Sequence, residues 1–109
     1  MADTILIGRS GGPLAWVVAI DGPDEANFYQ LGSHSYLGRD QFCQIRLSDP
    51  RVSTRHACIR FQQGHFVLYD LASRNRTYLN GQTLIKPHPL MDGDVIGVGQ
   101  SELVFKQAR

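Results

Sequence analysis

Apolar residues in this 109-residue chain come in short runs, and many of them alternate with polar ones. AWVVAI (15–20), FYQL (28–31), QIRL (44–47), HACIRF (56–61), HFVLYDL (65–71), TYL (77–79), DVIGVG (94–99) and ELVF (102–105) carry this pattern. A period of two places successive side chains on opposite faces of a pleated strand, so each run predicts a β-strand. Between them stand DGPDE, SDPR, QQG, NG, KPHP and MDGD. These are rich in the Gly, Pro, Asn and Asp that reverse a chain. Nowhere do apolar residues recur at a spacing of 3.6 for three turns, so no helix is expected. Strands with turns every eight to twelve residues define an all-β antiparallel sandwich or barrel.

The length fits one domain with a single core, and 42% apolar residues is a globular composition. No apolar run reaches the roughly 20 residues that span a bilayer. The start, MADTILIGRSGGP, carries Asp3 and only a three-residue apolar run, which is not a secretory signal. A soluble, cytoplasmic setting is therefore the expectation. The Gly/Pro stretch SGGP makes residues 1–13 a flexible N-terminal arm ahead of a domain over 14–109. Cys43 and Cys58 belong to no CxxC pair, and reduced thiols are expected of them. His34, His56, His65 and His88 have no ligand spacing, so neither a metal nor any other cofactor is implied.

Charge changes the picture more than composition does. The net charge is +1, yet nine of the eleven basic residues are Arg. Arg39, Arg46, Arg51, Arg55, Arg74 and Arg76 fall in one stretch of the chain, with Asp40, Asp49 and Asp70 among them. Arg is suited to bidentate recognition of carboxylate or phosphate, so an anion site competes here with a plain solvated basic face. The segment SRNRTYLNG (73–81) sharpens the point. Arg74 and Arg76 bracket Asn75, and two such like charges repel unless something negative lies between them.

Four segments collect these features: YLGRD (36–40), DPRVSTRHA (49–57), DLASRNRTYLNG (70–81) and MDGDVIGVG (91–99). The ordered set resembles the forkhead-associated (FHA) domain, a phosphothreonine-peptide binding module. The matches are Gly38-Arg39, Ser53 with His56, Asp70-Leu71 with Ser73, Asn75 and Thr77, then Asn80-Gly81 and Gly93-Asp94. The resemblance covers about residues 14–106. The resemblance implies an eleven-stranded β-sandwich with binding loops at one end, acting in Ser/Thr kinase signalling. It implies that Arg39 pairs with the phosphate, Ser53 donates its hydroxyl to it, and Asn75 binds the peptide backbone. Thr54 and Arg74 would tune sequence preference, and Gly38, His56 and Asn80 would support the loops. Arg55, and more weakly Arg51, would add charge because they flank Ser53. Arg76 departs from the pattern, which has glycine there. The expectation is that the turn keeps its shape and that Arg76 points to solvent or peptide.

The partner so implied is a Thr-phosphorylated protein or peptide, and indirectly the Ser/Thr protein kinase that marks it. The chemistry agrees, since a phosphothreonine brings roughly −1.5 to −2 charges and three acceptor oxygens. No catalysis is expected. Ser53, His56 and Asp70 have the residue types of a hydrolase triad, but Ser53 lies in no Gly-x-Ser-x-Gly elbow. GVG (97–99) lacks the strand–turn–helix setting of a nucleotide fingerprint, and NRT (75–77) is a sequon by coincidence. Two alternatives stand beside this reading: an FHA-like scaffold that has lost phosphate recognition, and an Arg-rich nucleic-acid-binding domain. The low net charge and the lack of aromatics within residues 51–55 and 73–76 weigh against nucleic acid. The expected state is a monomer.

Overall fold

The computed structural model describes Gly8 and residues 12–108, so most of the arm expected over 1–13 lies outside the described residues. Among the described residues every regular element is a strand. They are β1 (Ala15–Asp21), β2 (Phe28–Gln30), β3 (His34–Gly38), β4 (Ile45–Arg46), β5 (Ala57–Gln62) and β6 (His65–Asp70). The second half adds β7 (Thr77–Leu79), β8 (Gln82–Thr83), β9 (His88–Pro89), β10 (Val95–Val98) and β11 (Ser101–Gln107). One sheet has the order β2-β1-β11-β10-β7-β8 and the other β4-β3-β5-β6-β9. The all-β sandwich is thus as expected, with one local difference: β3 and β4 pair in parallel. No described helix is long and apolar enough to cross a membrane.

Alternation delivers the core. Ala15, Val17 and Ala19 of β1 turn inward, as do Leu103 and Phe105 of β11 and Ile96 and Val98 of β10. The facing sheet contributes Leu37, Ile59, Phe66 and Leu68, all essentially without exposure. Phe66 joins the layers: its ring lies 4.8 Å from that of Phe61 and 5.7 Å from that of Phe105. Each such buried side chain contributes about 1.5–3 kcal/mol of hydrophobic stabilisation. Cys43 and Cys58 are both buried and both free, and burial pushes the Cys58 thiol up to about 11.

Three strands escape the apolar pattern, each for a reason in its residues. In β3 the inward position between Ser33 and Leu37 is Ser35, a polar residue that is nonetheless buried and accepts a hydrogen bond from the Gly32 N–H at 3.2 Å. β8 and β9 are two residues each, too short to show a period.

Two constraints fix the loops at the Gly38 end of β3. A Cβ on Gly38 would overlap the carbonyl oxygen of Thr54, so only glycine lets this strand end lie against the 53–55 loop. From Gly38 onward the loop and strand exchange backbone bonds, Arg39 N to Ser53 O at 3.2 Å and Asp40 N to Thr54 O at 3.0 Å. The second constraint is Asp49, fully buried, which ties this loop to the opposite sheet. Its Oδ1 accepts from Arg51 N at 2.9 Å, and its Oδ2 from Gln100 N at 2.6 Å and Ser101 Oγ at 2.9 Å. A Cβ on Gly99, whose φ is +58°, would stand 2.9 Å from that same Oδ2.

Asp49→Ala leaves three donors without their acceptor, and hydrogen bonds to a charged group contribute about 1.5–3 kcal/mol each but not additively. The expected loss is about 3 kcal/mol of unfolding free energy, seen as a lower urea midpoint at unchanged slope. A midpoint within experimental error of the parent would show that Asp49 is not the tie between the sheets.

Candidate functional site

The loop after β4 and the loop between β6 and β7 are joined side by side, and His56 is the main fastener. This histidine is fully buried at the mouth of β5. The backbone N–H of Ser53 donates to its Nδ1 at 3.0 Å. A backbone N–H can only donate, so Nδ1 is unprotonated and the ring proton sits on Nε2. Nε2 then donates to the carbonyl of Arg76, 2.7 Å away. Two further bonds cross the same seam. The N–H of Arg74 donates to Ser53 Oγ at 3.1 Å, and Asn75 Nδ2 donates to the carbonyl of Arg51 at 2.8 Å.

These bonds leave defined groups over. Because Ser53 Oγ accepts from Arg74, its own proton is free to be donated elsewhere. Asn75 has spent one amide hydrogen and keeps its carbonyl oxygen as an acceptor. Arg39 is anchored along one edge, its Nε donating to the Val52 carbonyl at 2.5 Å. The guanidinium's other N–H groups are planar donors of the kind that suit an oxyanion.

Asp70 organises the far side. Its Oδ1 accepts the hydroxyls of Ser73 at 2.5 Å and Thr77 at 2.7 Å, and Oδ2 accepts the Ser73 N–H at 3.3 Å. Burial alone would raise the Asp70 carboxyl, but the hydrogen bonds from Ser73 and Thr77 outweigh it and hold the group below the usual aspartate value. Asn80 braces the next turn, its Oδ1 accepting from Val95 N at 2.9 Å and its Nδ2 donating to Asp94 Oδ1 at 3.1 Å.

The arginines have no such partners. Among the described residues the ion pair present is Lys106–Asp92 at 3.3 Å, far along the chain from this end. Arg39, Arg51, Arg55, Arg74 and Arg76 are all exposed, and none forms an ion pair with a carboxylate of the described residues. The carboxylates in this part of the chain are engaged by N–H and O–H donors instead: Asp49 and Asp70 as above, and Asp40 Oδ1 by the Phe42 N–H at 2.9 Å. Arg55 lies over the ring of Tyr36, 5.2 Å from its centroid, and Tyr36 stacks on His34 at 5.0 Å. Thr54 is exposed beside it, its carbonyl tied to Asp40 N and, at 3.4 Å, to the Cys43 thiol. This end thus carries exposed Arg39, Thr54, Arg55, Arg74 and Asn75 and half-buried Ser53 on loops held by Gly38 and His56, whereas Asn80 braces the turn after β7 against Asp94 and Val95.

Arg76 takes φ +65°, the left-handed region that favours glycine, with its side chain exposed. The turn therefore keeps the glycine-type conformation with an arginine in it. Sequence reasoning passed over Asp49, Gly99, Tyr36 and the bracing part played by Asp70. For Asp49 the one local signal was Asp-Pro, a common turn start. For Tyr36 there was none, because it meets Arg55 only through the pairing of β3 with β5.

The comparisons with known proteins agree with this architecture. The FHA domain model matches residues 36–99, and the chain belongs to that family. It is 38% identical over 77 residues to mouse proliferation marker protein Ki-67, and 42% identical over 79 residues to the FHA domain-containing protein FhaA of Mycobacterium tuberculosis. Those matches cover 71% and 72% of this chain but 2% and 15% of the two relatives, so the chain spans a small part of the curated proteins it matches. A solved chain from a structural and functional study of phosphothreonine-dependent FHA domain interactions superposes with a TM-score of 0.80 at 35% identity. That superposition covers 88% of this chain and 98% of the other.

Two outcomes follow from the geometry. Arg76→Gly removes the left-handed penalty, about 1–2 kcal/mol, and raises the thermal midpoint. A lower midpoint would mean that the Arg76 side chain stabilises the turn. The lowered Asp70 carboxyl stabilises the fold fully above the unfolded value near 3.9, and this contribution is lost as pH falls through the lower folded value. Asp70→Asn should therefore flatten the fall of stability with pH below about 4. An unchanged slope in urea melts across that range would remove Asp70 from this role.

Proposed function

We propose that this chain is a phosphothreonine-peptide binding module that mediates phosphorylation-dependent protein–protein interaction in Ser/Thr kinase signalling. The observation that carries the reading is the pairing of Arg39 with Ser53. The guanidinium is held by its Nε against the Val52 carbonyl, and the neighbouring Ser53 hydroxyl is oriented by the Arg74 N–H so that its proton is free. A phosphate monoester asks for a cation, a hydroxyl donor and more N–H donors in a site that is already ordered.

In this reading Arg39 and Ser53 take the phosphate. Asn75, fixed by its bond to Arg51, offers its amide carbonyl to a peptide N–H. Thr54, Arg55 and Arg74, exposed around the phosphate position, read the neighbouring peptide residues. Gly38, His56 and Asn80 act through the loops they hold. Likeness to a domain studied for phosphothreonine-dependent interactions supports threonine as the phosphorylated residue. The domain works as a cytoplasmic monomer, without a cofactor, an enzymatic activity, or a membrane or nucleic-acid ligand.

Charge-assisted hydrogen bonds contribute about 1.5–3 kcal/mol each. Arg39→Ala is therefore expected to weaken a phosphothreonine peptide by about a hundredfold, and Ser53→Ala or Asn75→Ala by about tenfold, in isothermal titration. The unphosphorylated peptide and a single-stranded oligonucleotide should not bind. Phosphopeptide affinity that survives Arg39→Ala, or oligonucleotide binding that matches it, would overturn the assignment.

A further inference from the structure

We infer that the bound peptide carries a second anionic group beside its phosphothreonine, and that Arg76 is the residue that receives it. This rests on the phosphothreonine reading above and adds a specificity determinant to it. Three observations point the same way. First, Arg76 occupies φ +65° at a turn where its carbonyl is held by His56 Nε2 at 2.7 Å. That hydrogen bond uses only backbone, so a glycine would make it equally well at less conformational cost. Ala72 of the same loop also takes a positive φ, so what distinguishes Arg76 is the long cationic side chain carried there at a cost that glycine would not incur.

Second, the Arg76 side chain is exposed and pairs with no carboxylate of the described residues. The nearest acid along the chain, Asp70, is consumed by Ser73 and Thr77. The charge is therefore available to a ligand. Third, Arg76 is adjacent to Asn75, whose amide is fixed at 2.8 Å to the Arg51 carbonyl, and Arg74 stands on its other side with its N–H on Ser53. One phosphate on Arg39 and Ser53 leaves the Arg74–Arg76 pair with an excess of positive charge. At physiological ionic strength, charges within about 8 Å interact with little screening, so a second anion lying across this turn relieves that excess.

The ligand class is thus a phosphopeptide with either acidic side chains or a second phosphate close to the phosphothreonine. The geometry of a guanidinium suits both, and their discrimination is a matter for measurement.

Three synthetic peptides separate the cases: one phosphothreonine among alanines, the same with glutamates on both sides, and one with a second phosphothreonine three residues away. Each is titrated against the parent domain, Arg76→Gly and Arg76→Gln, the last of which keeps the side-chain length without the charge. The readout is the affinity ratio of each doubly anionic peptide to the alanine peptide. The expected ratio for the parent is about two- to fivefold, the upper part of the range for an exposed charge pair. Both variants should bring it close to one, and in the parent it should shrink between 50 mM and 500 mM salt. A gain with phosphate but none with glutamate assigns the subsite to a second phosphate, and equal gains assign it to charge alone. A ratio unaltered by either variant, or near one in the parent, overturns the inference while the phosphothreonine reading stands. If no phosphopeptide binds the parent, both fall.

Discussion

The imidazole of His56 is the joint on which the binding end of this domain is assembled. It is fully buried, and each of its nitrogens is committed to a different loop. Nδ1 takes the Ser53 N–H and Nε2 gives its proton to the Arg76 carbonyl, so the ring is neutral with one tautomer. Several features follow from that choice. Ser53 is held at a fixed height, within reach of the Arg74 N–H. The carbonyl of Arg76 must face inward, which sets the backbone of the turn and with it the positive φ. Asn75, one residue earlier, is then brought to the Arg51 carbonyl. A catalytic histidine beside a serine would show its ring nitrogen on the hydroxyl. Here the ring meets the serine's backbone N–H, and the hydroxyl oxygen accepts the Arg74 N–H instead.

The electrostatic arrangement has an inside and an outside. Asp49 and Asp70 are surrounded by donors from the backbone and from Ser101, Ser73 and Thr77, which answer most of their charge, with Arg51 adding a weaker attraction at Asp49. In each case burial works against the charged form and the hydrogen bonds prevail, so both carboxyls are lowered. Arg39, Arg55, Arg74 and Arg76 consequently form no ion pair with a carboxylate of the described residues. A protein that only needed solubility would gain from interleaving the two signs. Segregation of this sort is what a surface awaiting an anion requires, and the seam of hydrogen bonds beneath it reduces the ordering cost of binding.

The division between what the chain reveals and what it conceals follows the range of the interactions. The long strands were legible because one face of each is apolar, and the turns because Gly, Pro and Asn must stand where they do. The ordered set Gly38-Arg39, Ser53 and His56, Asn75 and Thr77 was legible as a family pattern. What stayed hidden depends on contacts across the sandwich. Ser35 is polar yet buried, which masked β3. The parallel pairing of Ile45 with Leu37 leaves no trace in a two-residue strand. The role of Asp49 lies in its reach to Gln100 and Ser101, some fifty residues away, and that of Tyr36 in strand register. Aromatics do sit against the arginines, Tyr36 under Arg55 and Tyr69 under Arg60. They come from neighbouring strands, so a search within residues 51–55 and 73–76 could not find them.

Arg76 joins these threads, because it is where the demands of the fold and those of the surface conflict. The carbonyl bond to His56 holds the turn in a conformation whose cheapest occupant is glycine. The same position carries its side chain exposed beside Asn75, where the proposed peptide would lie. Glycine would satisfy the first condition and forfeit the second. An arginine accepts about 1–2 kcal/mol of backbone strain, a notable fraction of the 5–15 kcal/mol that keeps a domain folded. The rest of the loop carries that strain because its backbone is pinned at Ser53, Arg74 and Arg51 by bonds that do not involve the arginine side chain. Those bonds hold the turn around a residue it does not favour without calling on its guanidinium, which is the condition the proposed second anion would need.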